Sequence, residues 1–378
     1  MDNLTHSLVG LVIAKAGLER ASPAATIVCI IAANAPDADI LTAFRGSWTY
    51  LHNHRGLTHS IVGTLTLALL IPLVCWAGDR LLASIRHKPP RVLFRGVLLA
   101  SLVASATHPL LDWTNNYGVR PLMPWSNEWF YGDLVFIVDP WLWLSLGGAA
   151  FLLTANTKWR VAAWAALAAI VTAAMYALPA RSGTAYPFAS RVLWLAGIAG
   201  LVFAHRANLA RRYGAGIAAV ALALIVVYWG ALSILHQHAL TQAGIVAACI
   251  AEQNNETIMR LAAMPMLANP LHWRCVVETN RATFRFELTL GGKDANDIAR
   301  EVVRYEKPRG DDTALVRRAA EDKRAAILLD FARFPVARVE GDCRSGVLVQ
   351  FADLRYTEPG TGGRGNFSLP VPVSCTPQ

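Results

Sequence analysis

Residues 59–78 read HSIVGTLTLALLIPLVCWAG, twenty residues without an Asp, Glu, Lys or Arg. As a helix rising about 1.5 Å per residue, such a run crosses the ~30 Å hydrocarbon core of a bilayer. Residues 161–179 and 214–235 are equally free of charge, and further apolar runs lie near 4–20, 23–40, 93–112, 137–156 and 191–205. The expected class is therefore a polytopic α-helical membrane protein of about eight helices. The runs near 4–20 and 23–40 are short and carry polar residues, so they are expected to tilt or re-enter. Thr5, His6 and Ser7 stand where a cleavable signal peptide would carry basic residues, so no such peptide is expected.

Composition agrees with this class and divides the chain. Hydrophobic residues make up 54% and charged residues 16%, with a mean hydropathy of +0.36, against about 25% charged in soluble domains. The formal charge of +9 is uneven. Residues 1–240 hold 17 Lys and Arg against 9 Asp and Glu, whereas residues 241–378 hold 18 against 17. The expected domains are 1–238, a transmembrane helical domain, and 239–378, a soluble α+β domain.

The basic residues also set an orientation, because Lys and Arg in short loops stay cytoplasmic. One alternating set of loops holds Lys15, Arg20, Arg80, Arg86, Lys88, Arg91, Arg95, Lys158, Arg160, Arg206, Arg211 and Arg212. The other holds only Arg45, Arg55, Arg120, Arg181 and Arg191. The first set belongs in the cytoplasm, which places the N-terminus and the C-terminal domain on the exocytoplasmic side of the membrane. The excess positive charge is thus a topology signal, and nucleic acid is not an expected partner.

Ionisable residues inside membrane segments are costly and are functional candidates by default. Five of the nine acids in the first 240 residues, Asp37, Asp39, Asp112, Asp133 and Asp139, sit near helix ends with His6, His54, His59 and His108. The orientation drawn from Lys and Arg alone places all of these ends on one face. His108 and Asp112, four residues apart, share a helical face. Asp37 and Asp39 follow Pro36 in a segment expected to be non-helical, and His54 and His59 flank Gly56. Nitrogen and carboxylate ligands together suit zinc, manganese or iron. All nine residues are metal-ligand candidates for one or two divalent ions, zinc foremost. Thr5-His6-Ser7-Leu8-Val9-Gly10 recurs as Thr58-His59-Ser60-Ile61-Val62-Gly63, and in each a Thr or Ser is expected to cap a helix whose first turn projects the His.

Trp113, Tyr117, Trp125, Trp129, Phe130, Tyr131, Trp141 and Trp143 crowd one stretch, as an interfacial aromatic belt or a lid over a site for an amphiphilic substrate. Arg55 and Arg120 are candidates for holding an anionic group of that substrate.

Five stretches carry a family resemblance: MDNLTHS, NAPDAD, HRGLTHS, HPLLDWTNNYG and DLVFIVDPW. Together they resemble the YdjM-like inner-membrane proteins. The resemblance implies a membrane-bound, metal-dependent hydrolase and implicates the same nine residues, His6, Asp37, Asp39, His54, His59, His108, Asp112, Asp133 and Asp139.

The C-terminal domain reads as a small α+β fold with a mainly antiparallel sheet. The last span is expected to run on as a helix to about Glu252, followed by a loop around Pro265–Pro270. A hairpin is expected from 273–279 and 283–290, a single helix over 311–331, and strands near 335–341, 346–352 and 366–372. Gly360 to Gly365 reads as a flexible loop, since no Gly-Lys-[Ser/Thr] follows. Cys249, Cys275, Cys343 and Cys375 are an even number able to pair in an oxidising compartment, or to stay as free thiols.

The expected function is hydrolysis of a lipid or lipid-linked substrate, a phosphoester among the options, by metal-activated water at the exocytoplasmic face. Asp112 or Asp39 is expected as general base. The alternatives are a divalent-metal transporter and a structural metal-binding scaffold; ligands near the midplane would mark the first, closed coordination the second.

Overall fold

The computed structural model describes residues 1–182, 187–342, 346–360 and 366–374. Packing divides the chain into two compact units. The first comprises Met1–Ala38, Arg55–Ser233 and Met266–Asn269, and the second Asp39–His54, Ile234–Pro265 and Pro270–Gln378. The boundary expected at 238/239 lies inside one long helix, and residues 39–54 group with the C-terminal part of the chain.

Helices overlap each of the eight apolar runs, lying in the first unit or beginning there. They are α1 (Asn3–Lys15), α2 (Ala25–Asn34), α4 (Ile61–Ile85), α5 (Phe94–Trp113), α6 (Pro140–Thr154), α7 (Lys158–Ser182), α8 (Phe188–Arg206) and α10 (Ala215–Asn254). Two short helices were not expected, α3 (Ser47–Asn53) and α9 (Leu209–Tyr213). Six spans among the described residues are long and apolar enough to cross a membrane. Helices α1 and α6, at 13 and 15 residues, extend only about 20 Å, short of the core thickness. The segment after Pro36, expected to be non-helical, continues α2 as a 3-10 run, Ala35–Arg45.

Capping explains where α1 and α4 begin, and it differs between the two echoed hexamers. Asp2, not Thr5, caps α1, accepting from the Thr5 backbone N–H at 2.9 Å and from Thr5 Oγ1 at 2.7 Å. His6 therefore lies within the helix. Ser60 caps α4, accepting from Gly63 N at 3.0 Å, which leaves His59 in the 3-10 turn Leu57–His59 just before it. What the hexamers share is their glycine. A Cβ at Gly10 would stand 2.6 Å from the Cys29 carbonyl oxygen of α2, and one at Gly63 would overlap the Leu57 carbonyl oxygen. Both positions need a residue without a side chain for close backbone approach.

In the second unit, residues Ile234 onward of α10 carry a buried stripe, Ala239, Ala243, Val246, Ala247 and Ile250, at helical spacing. That stripe covers one face of a four-stranded sheet, order β1-β2-β3-β4, built from Ile258–Met266, Asn269–Thr279, Ala282–Thr289 and Val303–Glu306. Trp273, Cys275 and Val277 of β2 point toward α10, while Val276 points the other way. This period-two alternation lets Val276 join Ala262 and Met264 against Val336, Ala352 and Leu354 of a second sheet. That sheet is β5 (Pro335–Asp342), β6 (Gly346–Asp353) and β7 (Ser368–Val373), antiparallel throughout. Its outer face is covered by α12 (Asp311–Ala319) and α13 (Lys323–Phe331), with α3 beside α13.

The expected hairpin and the last three strands are present, and β2 pairs with β3 in the register Glu278↔Thr283. The loop expected around 265–270 is instead a tight connection between β1 and β2, and β1, β4 and α11 (Ala295–Arg300) were not expected. The single helix over 311–331 is two helices. Asp322 accepts from Arg324 N at 2.8 Å and Ala325 N at 3.3 Å, starting α13 afresh. Cys249 and Cys275 are free thiols. Cys343, Cys375 and most of the glycine-rich stretch after Gly360 lie outside the described residues.

Gly63→Ala should lower the unfolding midpoint of the detergent-purified protein by several degrees, since overpacking costs about 1–3 kcal/mol. Gly78→Ala on the same helix, where an added Cβ meets nothing within 4 Å, should leave the midpoint unchanged or raise it.

Candidate metal centre

Three helix ends of the first unit supply the centre. Asp37 follows α2, His59 precedes α4, and His108 and Asp112 lie one turn apart at the end of α5. His59 Nε2 stands 3.3 Å from Asp37 Oδ1 and 3.2 Å from Asp112 Oδ2. His108 Nε2 stands 3.6 Å from Asp37 Oδ1, 3.4 Å from Asp112 Oδ2 and 3.1 Å from His59 Nε2. One ligand atom from each of the four residues lies within 4.8 Å of all the others. A tetrahedral ion with ligands at about 2.0–2.1 Å has ligand–ligand edges of about 3.3 Å. The five distances above cluster around that value, so the four residues fit a divalent ion.

The surrounding hydrogen bonds turn the right atoms inward. His108 Nδ1 lies 2.6 Å from the carbonyl oxygen of Ala33 in the last turn of α2. A carbonyl only accepts, so Nδ1 carries the proton and Nε2 presents its lone pair to the centre. His59 Nδ1 is held by Thr58 Oγ1 at 3.0 Å, which likewise leaves Nε2 facing inward. Asp112 divides its two oxygens. Oδ1 takes Arg55 Nη2 at 3.1 Å and the Met1 amine, and His6 Nε2 stands 3.4 Å away without a hydrogen bond. Oδ2, fully buried, accepts no hydrogen bond from the described residues. Two imidazole nitrogens crowd it without hydrogen-bond geometry, as donors converging on a shared point would.

Of the nine candidate ligands, four meet in this centre and His6 stands at its edge, its ring stacked on His108 at 3.8 Å. Neither ring nitrogen of His6 has a hydrogen-bond partner among the described residues. Asp39 and His54 belong to the second unit, where His54 Nδ1 lies 3.1 and 3.2 Å from the two Asp39 oxygens. Asp133 and Asp139 are buried but outside the group of four. Asp139 caps α6, accepting from Trp141 N at 2.8 Å, Leu142 N at 3.0 Å and Tyr228 Oη at 2.9 Å. Asp133 sits with φ +52° in the loop that folds back on the end of α5.

Both arginines are buried. Arg55 donates to Asn115 Oδ1 at 2.9 Å and to the carbonyls of Asp112 and Gly118, each at 3.2 Å, with its guanidinium 4.6 Å over Tyr117. A cation on the carbonyls that end α5 also complements the helix dipole. Arg120 lies over Trp129 at 4.5 Å, and its backbone N–H donates to the Arg55 carbonyl. Asn115 was not singled out from the sequence. It accepts from both Arg55 and Tyr117 N, and its place in the run after Asp112 was its only signal. In the aromatic stretch, Trp143 Nε1 donates to Thr5 Oγ1 at 3.0 Å and ties α6 to α1. Trp125 is left exposed.

The first unit thus combines helices long and apolar enough to cross a membrane with a two-His, two-Asp cluster, part-buried at Asp37 and otherwise buried, whose spacing suits a metal ion. Residues 1–181 match the family described as YdjM inner membrane protein. The chain is 35% identical over 137 residues to the inner membrane protein YbcI of Escherichia coli K12, covering 34% of this chain and 70% of that one. It therefore belongs to the YdjM inner membrane protein family. It is also 28% identical over 155 residues to the uncharacterized protein YfhP of Bacillus subtilis 168, covering 38% of this chain and 44% of that protein. No solved structure matches it significantly.

Replacing Arg55 tests whether it braces Asp112. Arg55→Met removes the guanidinium from a buried carboxylate and leaves it only the Met1 amine, and losing one partner of a buried ion pair costs about 3–5 kcal/mol. A large drop in the thermal midpoint is expected. A midpoint equal to wild type would show that Arg55 does not brace the centre.

Proposed function

We propose that this protein is a metal-dependent hydrolase acting on a lipid or lipid-linked substrate, a phosphoester foremost, at the exocytoplasmic face of the inner membrane. The observation that supports this reading is the convergence of Asp37, His59 and His108 on a point that also faces the unbonded oxygen of Asp112. We assign Asp37, His59 and His108 as the residues that hold a divalent ion, zinc foremost, with manganese or iron as the alternatives. A divalent ion held there supplies a bound water whose pKa falls toward about 7.

In this reading Asp112 handles the proton. Arg55 fixes Oδ1, so Oδ2 is held in place and available as a base. It takes the proton of the attacking water and returns it to the leaving oxygen. Asp39, the other carboxylate expected in this role, has both oxygens on His54. Burial of the site among helix ends suits a substrate presented from the bilayer.

A second reading has support from the same distances. Four protein donors at tetrahedral spacing can close the coordination sphere, as in a structural metal staple. The two readings part on Asp112→Asn. Metal content and hydrolysis of phospholipid and polyprenyl phosphoesters are measured on protein purified in detergent. Wild type should carry a divalent ion, and His59→Ala and His108→Ala should lose it. As a hydrolase, Asp112→Asn keeps the ion and loses about 10²–10⁴ in rate. Loss of the ion in Asp112→Asn, with no hydrolysis by wild type, would favour the staple. Unchanged metal content in both histidine variants would overturn both readings.

A further inference from the structure

A second feature of the first unit lies away from the metal centre. A cavity of about 850 Å³ runs between α6, α7 and α8, with Leu4 and Leu8 of α1 in its wall. Along α7 it extends from Val161 to Tyr176, a helical rise of about 22 Å, more than the ~15 Å of one leaflet's hydrocarbon. Its tryptophans have no donor to spare. Trp164 Nε1 donates to Thr154 Oγ1 at 2.8 Å and Trp194 Nε1 to Thr172 Oγ1 at 2.9 Å. The indoles therefore offer their ring faces alone, and the interior is a slot for hydrocarbon.

One end differs in character. His205 and Arg206, the last two residues of α8, line the cavity where α6 ends and α7 begins. His205 packs on Phe151 at 4.9 Å. Arg206 has no ion pair among the described residues. The sequence leaves it little prospect of one, because residues 140–251 contain no Asp or Glu while carrying Lys158, Arg160, Arg181, Arg191, Arg206, Arg211 and Arg212. Lys158 and Arg160 open α7 and Arg211 and Arg212 lie in α9, at this same end. An apolar slot with a cationic mouth and no internal counter-charge calls for an amphiphile that brings its own negative charge.

We propose that this cavity binds an anionic phospholipid, with an acyl chain along α7 and the phosphate at His205 and Arg206. Its cationic mouth lies at the end away from the metal centre, while Leu4, Leu8 and Trp143 line the far end of the slot. Asp139 and Trp143, at the start of α6, mark the end of that helix opposite to Phe151, and Trp143 bonds to α1 beside His6. The lipid phosphate is therefore placed at the opposite end from the hydrolytic centre. The basic connections there, expected in the cytoplasm, would meet the anionic leaflet surface, where each cation contributes about 1 kcal/mol.

The test is native mass spectrometry of the full chain in detergent, titrated with phosphatidylglycerol and, separately, phosphatidylcholine. Wild type should retain one phosphatidylglycerol in preference to phosphatidylcholine. Arg206→Gln should weaken phosphatidylglycerol binding about fivefold and leave phosphatidylcholine unaffected. Arg91→Gln, in a different connection, should change neither. Ala168→Phe, which fills the slot, should reduce retention of both lipids. Equal retention of both lipids by wild type, or an Arg206→Gln variant indistinguishable from wild type, would overturn the proposal. Metal content should be unaltered in Arg206→Gln, which separates this site from the centre at the other end.

Discussion

A carboxylate with only 1% of its surface exposed is stable in a protein interior only when positive charge or hydrogen-bond donors surround it. Asp112 is such a group, and much of the first unit is arranged around it. Its Oδ1 anchors Arg55, which in turn engages Asn115 and the carbonyl of Gly118 and so fixes the turn beyond α5. Its Oδ2 faces His59 from the start of α4 and His108 from its own helix. The ends of α2, α4 and α5 are thereby drawn to one point, and the close glycine approaches let the backbones follow.

Both candidate histidine donors are tied down through their other ring nitrogen. His108 is oriented by a carbonyl of α2 and His59 by the threonine before it. Neither ring can turn its Nε2 away without breaking a bond in a buried environment, where an unmet polar group costs about 1–3 kcal/mol. A centre built this way is rigid before any ion arrives, which lowers the reorganisation that binding or chemistry would otherwise require.

Much of this was legible in the sequence because membrane segments are sparing with charge. In the first 240 residues nine acids stand out, and four residues of the His and Asp set, Asp37, His59, His108 and Asp112, do meet. The spacing of His108 and Asp112 determined their shared face outright. Pattern could not tell ligand from cap. Asp139 looks like Asp112 in a string of letters, yet it precedes Pro140 at a helix start and its oxygens serve backbone N–H groups. The echo of Thr-His-Ser identified the glycines and histidines but not their register, because a cap three residues before Thr5, Asp2, moved His6 into the helix. In the second unit, period-two alternation revealed the central strands. The edge strand β4 has four residues, too short to register as a pattern. The break at Asp322 depends on a side-chain cap inside an otherwise continuous helical sequence.

The central claim is that imidazole and carboxylate, without sulfur, hold a divalent ion between Asp37, His59 and His108, with Asp112 facing it. X-ray absorption fine structure of the zinc-loaded, detergent-purified protein reads that shell directly. The account predicts nitrogen and oxygen neighbours at about 2.0–2.2 Å with the multiple-scattering signature of two imidazoles. A sulfur shell near 2.3 Å, or an oxygen shell without imidazole, would contradict it.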